Sequence, residues 1–188
     1  MQNANKPCIA IDYDGVIADT NQLKADWIRE NLGVSISPGL CDRTRCVKHI
    51  GVEAYNRMAK VVYDREYSLQ AQPLAGLKSA IPALAKLFRL IILSTRDNSN
   101  IRWVNEWLYS YGLYEQFTDI VSSYQKQKLG IASELRATAL LDDDIRHLRV
   151  SGFLSVRRFH FDRDLFEDIQ REGQIVHVKS WTAFLQVL

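Results

Sequence analysis

The side chains in this sequence that can do chemistry stand directly after short apolar runs. Carboxylates and a hydroxyl follow three of these runs: Asp12 and Asp14 after residues 8–11, Ser94 after residues 90–93, and Asp142 and Asp143 after residues 139–141. A polar stretch with two lysines, Lys126 and Lys128, precedes the last run. Carboxylates that lie close together raise one another's pKa and lower stability unless a cation neutralises them. The pattern therefore predicts a cation site where the fold brings these run ends together.

The ligand atoms of such a cluster indicate its chemistry. An oxygen-only set without histidine or cysteine suits Mg²⁺, which binds few protein carboxylates and keeps several waters. A carboxylate does not easily attack a phosphate dianion, because the two negative charges repel each other. A Mg²⁺ ion and a lysine ammonium beside both groups remove that barrier. We therefore expect Mg²⁺ as cofactor and a small phosphorylated substrate.

The apolar runs themselves are typical of strands in a parallel sheet. They are apolar on both faces, as in strands that helices cover from both sides. Weaker strand patterns lie at 119–122, 154–161 and 175–178, and helical patterns lie between the strands at 77–88, 101–111, 129–135 and 165–169. Pro82 predicts a kink or a later start for the first of these helices. The alternation predicts a Rossmann-like, open parallel α/β sheet, in which ligands bind beyond the carboxyl ends of the strands.

One segment interrupts the alternation. Residues 20–73 contain no convincing strand, and two amphipathic helical patterns occupy them, one ending at Gly33 and one containing Val52 to Val62. A helical segment of about 55 residues directly after the first strand predicts a lid over the site. We expect an α/β core made of residues 1–18 and 74–188, and an inserted helical cap made of residues 19–73.

Composition and charge exclude several classes of protein. The chain has 188 residues, 47% of them hydrophobic, and 24 basic against 22 acidic side chains give a net charge of +2. This weak charge disfavours a nucleic-acid polymer or a membrane surface as partner. No run approaches the ~18 apolar residues of a membrane span. Three cysteines at unhelpful spacings favour free thiols, so we expect a cytoplasmic protein, and the sequence leaves its oligomeric state open.

The same residues resemble the motifs of a known family. Residues 12–20, DYDGVIADT, are similar to the first motif of the haloacid dehalogenase superfamily. Residues 90–94 resemble its second motif, an apolar strand that ends in Ser or Thr; Lys128 or Lys126 fits the third motif; and residues 141–143 fit the acidic fourth. The helices after the first strand resemble the small C1 cap of 5′-nucleotidase-like and phosphoglycolate-phosphatase-like members.

The resemblance implies a role for each matched position. Asp12 would be the nucleophile that forms an aspartyl-phosphate, and Asp14 the general acid and then the general base. Ser94 would bind a phosphoryl oxygen, and a lysine would neutralise charge, with Lys128 mildly preferred over Lys126. Asp12, the backbone carbonyl of Asp14 and the fourth motif would hold Mg²⁺. Asp143 is favoured over Asp142 as the direct ligand.

Further cations are candidates for binding the substrate. Arg43 and Arg45 lie in the insertion and could fold over the site to hold a phosphate, a carboxylate or a base, although a solvated face is the commoner explanation. Arg96 follows the second motif and is a candidate phosphate contact. Thr95 and Lys126 complete the predicted substrate-binding set. Thr95 could equally be a simple residue on the approach to a helix.

Other functions compete with hydrolysis of a phosphate ester. A phosphomutase or phosphotransferase would use the same site with another acceptor. Dehalogenases of the family lack the second aspartate of the first motif, so Asp14 argues against that activity. Receiver domains of two-component signalling use similar groups, but in the reverse order and without a helical insertion. A non-catalytic phosphoryl-binding protein could keep all of these residues.

Overall fold

The computed structural model describes residues 6–164 and 174–188. Within them, six strands form one parallel sheet: β1 (Cys8–Ile11), β2 (Arg89–Ser94), β3 (Asp119–Ser122), β4 (Ala137–Asp142), β5 (Arg157–Phe161) and β6 (Ile175–Val178). Their order across the sheet is β3-β2-β1-β4-β5-β6. The open, parallel, Rossmann-like sheet confirms the predicted fold class. The pattern at 154–161 is a shorter strand than predicted, because it begins at Arg157.

The described helices are α1 (Thr20–Leu32), α2 (Arg43–Val62), α3 (Arg65–Ser68), α4 (Leu77–Leu87), α5 (Ile101–Ser110), α6 (Lys128–Glu134) and α7 (Trp181–Val187), the last of which follows β6. Short 3₁₀ turns lie at Pro38–Leu40, Tyr114–Gln116 and Ile145–His147. Pro82 does not delay the start of α4, whose apolar face is buried. The helix predicted at 165–169 lies outside the described residues. In the part of the chain that is described, no helix has both the length and the apolar composition that crossing a membrane requires.

Alternate residues of each central strand pack into different layers. In β1, Ile9 and Ile11 belong to the apolar cluster that α4, α5 and α7 complete. Cys8 and Ala10 point to the opposite face and belong to a second cluster, which includes Leu129 of α6. Because both faces are covered by helices, the strands are apolar on both sides, as their sequences predicted.

The pairing of the strands aligns their carboxyl ends. Ile11, the last residue of β1, pairs with Ile92 of β2 and with Leu141 of β4, so the three strands end within two residues of one another. The backbone N–H of Asp12 donates to the Leu141 carbonyl at 2.9 Å, which fixes the first residue after β1 against β4. The polar groups that follow β1, β2 and β4 therefore lie at one edge of the sheet.

The helices α1 to α3 form the segment between β1 and α4. The chain enters this segment at Asp19 and leaves it at Gln72. These two connections are hydrogen-bonded to each other, because the Asp19 N–H donates to the Gln72 carbonyl at 2.8 Å. The segment buries its own apolar cluster: Ala25, Trp27, Ile28, Cys41, Cys46, Tyr55, Met58 and Val62. Gly33 ends α1 in the left-handed conformation, and Gly51 (φ 78°) interrupts the helical conformation within α2. The division into a core and a cap at residues 19–73 stays a prediction.

Candidate active site

A buried lysine joins two of the strand-end carboxylates. Lys128, the first residue of α6, places its Nζ 2.7 Å from Asp12 Oδ1 and 2.7 Å from Asp142 Oδ2. Burial alone would lower the pKa of Lys128, but the two carboxylates outweigh it and hold that pKa above its usual value. Between the two lysines of the third motif, the geometry therefore selects Lys128. Lys126 is exposed and lies beside a separate surface cavity, so its predicted contact with substrate is not supported.

The two carboxylates on Lys128 differ in their electrostatics. Burial, reinforced by Asp142 and Asp14 and partly offset by Lys128, raises the pKa of Asp12 to about 7. Burial also acts to raise the pKa of Asp142, but Lys128 and His147 outweigh it and hold that pKa below its usual range. Asp142 is thus held in its anionic form by neighbouring positive charge. At Asp12, Lys128 does not fully offset the cost of burying the carboxylate.

Asp143 completes an acidic group with Asp12 and Asp142. One ligand atom from each of the three residues lies within 4.8 Å of the others. Burial and the charge of Asp12 raise the pKa of Asp143 well above its usual value. Asn21 of α1 donates to Asp143 Oδ2 at 2.7 Å. Three buried carboxylates so close together, with the pKa values of two of them raised, are the donor set that a hard divalent cation fits.

Gly15 makes this close approach possible. Its φ is +80°, and a Cβ atom at this position would lie 2.2 Å from Asp143 Oδ2 and 2.4 Å from Asn21 Nδ2. Both atoms belong to side chains held in a hydrogen bond, so neither moves away easily. The glycine of the DYDG segment is therefore required by space as well as by backbone conformation.

Asp14 is held by an arginine from the loop after β2. Arg96 donates from Nε and Nη2 to the two oxygens of Asp14 at 2.9 and 2.8 Å, and from Nη1 to Ser68 Oγ at 2.6 Å. Its guanidinium lies 5.0 Å from the ring centres of both Tyr13 and Tyr63. Burial acts to raise the pKa of Asp14, but Arg96 outweighs it, so that pKa lies below its usual value.

This arrangement does not support the predicted contact between Arg96 and a substrate phosphate. We expected its guanidinium to contact a substrate phosphate, whereas all three of its nitrogens already bind Asp14 and Ser68. Arg96 is 3% exposed and is not among the described residues that line the cavity beside Asp14. Its contacts instead connect Asp14 of the sheet edge to Ser68 of the insertion.

Ser94, the last residue of β2, and Thr95, which follows it, lie in different environments. Ser94 is buried, and its Oγ accepts a hydrogen bond from the Arg96 backbone N–H at 3.2 Å. A hydroxyl that accepts one bond can still donate its own proton, so this contact leaves the predicted role open. Thr95 is exposed and lines the cavity.

A cavity of about 260 Å³ lies between the sheet edge and the insertion. The sheet edge contributes Asp12, Asp14, Thr95 and Asp143; the insertion contributes Lys24, Asp42, Arg43, Tyr55, Ala59 and Tyr63. Lys24 was missed by the sequence analysis. It is 3% exposed, and its ammonium donates to Asn21 Oδ1 at 2.9 Å, so it orients the amide that binds Asp143. A single lysine in an amphipathic helix gives no sequence signal for this position.

The two arginines predicted on the insertion behave differently. Arg43 lines the cavity, with its guanidinium 5.0 Å from the ring centre of Tyr55. Arg45 is buried and forms ion pairs with Asp42 and with Asp162, which follows β5. Arg45 is not among the described residues that line the cavity, so its predicted contact with substrate is not supported; nor does it belong to a solvated face.

Solved structures share this architecture along nearly the whole chain. A candidate phosphoglycolate phosphatase from Lactobacillus plantarum has a TM-score of 0.67 and 13% identity, covering 97% of this chain and 99% of its own. A haloacid dehalogenase-like hydrolase from Streptococcus pneumoniae has a TM-score of 0.65 and 14% identity, with 97% and 98% covered. A 2-haloacid dehalogenase from Pseudomonas syringae has a TM-score of 0.55 and 15% identity, with 97% of each chain covered.

These similarities identify the fold of the chain. No protein-family profile and no curated protein matches the sequence. The structural matches nevertheless extend over both the sheet and the insertion, so the chain has the haloacid dehalogenase-like hydrolase fold that its motifs predicted. Because phosphatases and a dehalogenase share this fold, the reaction has to be argued from the site itself.

Proposed function

We propose that this protein is a Mg²⁺-dependent phosphomonoester hydrolase that acts through an aspartyl-phosphate on a small phosphorylated metabolite. The observation that carries the proposal is the buried group at the sheet edge, in which Asp12 contacts Lys128 and lies within 4.8 Å of Asp143 and Asp142. A carboxylate nucleophile, an ammonium and a cation ligand set on one cavity wall are the parts that phosphoryl transfer to a carboxylate requires.

Asp12 supplies the nucleophile in this proposal. Its carboxylate oxygen forms a bond to phosphorus while the bond from phosphorus to the ester oxygen breaks, and water later cleaves the acyl phosphate. Lys128 holds Asp12 Oδ1 at 2.7 Å and so fixes its direction of attack. Asp12, Asp143 and the backbone carbonyl of Asp14 would hold Mg²⁺ directly, because both oxygens of Asp142 already have partners, Lys128 and His147 at Oδ2 and the Asp144 N–H at Oδ1. The ion would neutralise the charge between the carboxylate and the phosphate.

Asp14 supplies the proton transfers. It lines the cavity beside Asp12, and both of its oxygens are fixed by Arg96. As a general acid it would first have to take up a proton, which its ion pair with Arg96 opposes, and then pass that proton to the leaving alkoxide; as a general base it would take a proton from the attacking water. Thr95, which follows β2 and lines the cavity, would bind a phosphoryl oxygen, and Ser94, the buried last residue of β2, would do so by donating its hydroxyl proton.

The insertion at residues 19–73 would act as a cap that selects the substrate. It covers the cavity with a cation, Arg43, and with the aromatic rings of Tyr55 and Tyr63. Such a surface suits a nucleotide or a sugar phosphate, through ring stacking or charge-assisted hydrogen bonds. The three buried free thiols suit a reducing, cytoplasmic compartment. The weak net charge of +2 favours a small-molecule partner over a nucleic-acid polymer or a membrane.

Phosphate release from a broad panel of phosphomonoesters tests the proposal. We expect turnover with Mg²⁺, none with EDTA, and a loss on the order of 10⁴-fold or more in Asp12→Asn. A matched control is Asp26→Asn, a half-buried aspartate of the insertion outside the cavity lining, which should retain full turnover. Turnover of no substrate by the wild type would reject hydrolysis in favour of binding. Release of halide from a 2-haloacid without Mg²⁺ would assign the chain to the dehalogenase reaction.

A phosphotransferase would carry the same aspartyl-phosphate. It is separated from a hydrolase by supplying alcohol or sugar acceptors during turnover. If free phosphate appears at the same rate as the dephosphorylated product, water is the acceptor. If the product exceeds free phosphate, the difference measures transfer to the added acceptor.

A further inference from the structure

A second group of metal-ligating side chains lies at the carboxyl ends of β5 and β6. His160 of β5 pairs in register with His177 of β6, and Asp162 lies two residues beyond His160. Since side chains paired in register lie on the same face, His160 and His177 project from one face of the sheet, and Asp162 follows just beyond the end of β5. The two Nδ1 atoms are 3.1 Å apart, and one ligand atom from each of the three residues lies within 4.8 Å of the others.

The orientation of His160 is fixed from outside this group. Its Nε2 lies 3.0 Å from the backbone carbonyl of Asp143. A carbonyl only accepts hydrogen bonds, so Nε2 carries the proton, and a neutral His160 directs the bare lone pair of Nδ1 at His177. A hydrogen bond from the second ring nitrogen to a backbone carbonyl is the arrangement that orients histidines in metal sites.

The distances suit a transition-metal ion. Two nitrogens that each lie about 2.05 Å from a zinc ion and 3.1 Å from each other subtend an angle of roughly 100° at the ion, near the tetrahedral value. Asp162 Oδ1 accepts from Arg45 Nη1 at 3.2 Å. A carboxylate offers about four lone-pair sites, so Asp162 can bind an ion and keep this arginine.

We propose that His160, Asp162 and His177 form a binding site for a first-row transition-metal ion such as Zn²⁺. Its nitrogen ligands separate it in chemistry from the oxygen-only group of Asp12, Asp142 and Asp143, which suits Mg²⁺. The site would be structural, because it joins the edge strand β6 to β5. His160 contacts the Asp143 carbonyl at the candidate active site, and Asp162 contacts Arg45 of the insertion, so the metal site would also be linked to both regions.

Cobalt provides a probe that distinguishes the two groups. Metal-free full-length protein titrated with Co²⁺ should develop the intense visible absorption of a four-coordinate centre with imidazole ligands. A six-coordinate, all-oxygen site gives only faint bands. We expect the intense signal to persist in Asp12→Asn and to be displaced by Zn²⁺. His177→Gln should weaken Co²⁺ binding at this site by at least about tenfold.

The matched control is His49→Gln, an exposed histidine of the insertion that should leave the signal unchanged. Equal Co²⁺ binding by the wild type and His177→Gln, or faint bands alone, would overturn the proposal and leave the pair as an ordinary hydrogen bond between imidazoles. Ring-nitrogen NMR of the wild type covers the possibility that the variant does not fold. Zn²⁺ should shift the Nδ1 resonances of both His160 and His177, and unshifted resonances would reject the site. Neither readout requires catalytic activity.

Discussion

The two walls of the candidate active-site cavity are built by different means. On the sheet wall, Asp12 and Asp143 directly follow strands whose pairing fixes their height and direction. On the insertion wall, Lys24, Arg43 and Tyr55 are placed by the rotation of helices that pack on a separate apolar cluster. The sheet wall therefore carries chemistry that tolerates little displacement, whereas the insertion wall can vary with the substrate. Changes on the sheet wall should accordingly have the larger effects.

The largest effect is expected from Lys128→Met. This change leaves Asp12 and Asp142 buried without their shared cation, and breaking a buried ion pair from one side costs about 3–5 kcal/mol. We expect a fall of this size in the free energy of unfolding, measured by urea denaturation, together with loss of turnover. The matched control is Lys126→Met on the same polar stretch, which should change stability by less than about 0.5 kcal/mol. Similar effects of the two changes would contradict the assignment of Lys128.

Arg96→Lys tests whether the arginine orients Asp14. Lysine keeps the positive charge but loses the fork that binds both carboxylate oxygens. We expect kcat to fall on the order of 10²-fold with alkyl phosphates, and much less with p-nitrophenyl phosphate, whose leaving group departs without a proton. Arg102→Lys, at an exposed arginine on Trp103, is the control. An equal fall for both types of ester would mean that Arg96 serves only the structure.

Gly15→Ala tests how tightly the acidic group is packed. Its new Cβ would meet Asp143 Oδ2 at 2.2 Å, whereas nothing lies within 4 Å of a Cβ at Gly112. Both glycines have positive φ, so both variants lose about 1–2 kcal/mol to backbone strain. We expect Gly15→Ala to lose about 1–3 kcal/mol more than Gly112→Ala and to bind Mg²⁺ more weakly. Calorimetric titration and thermal unfolding measure both quantities, and equal losses would contradict the close contact.

The raised pKa of Asp12 makes stability depend on pH and Mg²⁺ together. In the metal-free protein the folded-state pKa of about 7 exceeds the ordinary value of 3.8, so folding favours the protonated carboxyl. This contribution is complete below the ordinary pKa and is lost as the pH rises through about 7. Because Mg²⁺ binds the deprotonated form, the increase in Tm on adding Mg²⁺ should be larger at pH 8 than at pH 5. A Tm increase that is independent of pH would exclude Asp12 as a ligand.

The difference between the walls also explains what the sequence could predict. A strand end specifies position within a residue, so the order of the apolar runs predicted Asp12, Asp142 and Asp143 at one sheet edge, whereas the resemblance only mildly preferred Lys128 over Lys126. The partners of Arg96 were not predictable, because Asp14 and Ser68 are 82 and 28 residues distant in the chain. The sequence also could not show which charged side chains of the insertion face the cavity. The exposure of each side chain depends on the rotation of its helix and on the break at Gly51. Arg43 and Arg45 therefore give the same signal in the sequence but differ in the structure.

The smallest effect is expected on the insertion wall, from Arg43→Gln. Arg43 is half-buried at the cavity and stacks on Tyr55, so it can hold a distant anionic or aromatic part of a substrate. Pairs of this exposure contribute at most about 1 kcal/mol, so KM for a nucleotide or sugar phosphate should rise roughly two- to fivefold with kcat unchanged. The KM for p-nitrophenyl phosphate should stay constant, because that ester presents no such group. Arg57→Gln, at an exposed arginine outside the described cavity lining, should alter neither value. A fall in kcat for both substrates would place Arg43 in the chemistry of the sheet wall and remove the distinction between the two walls.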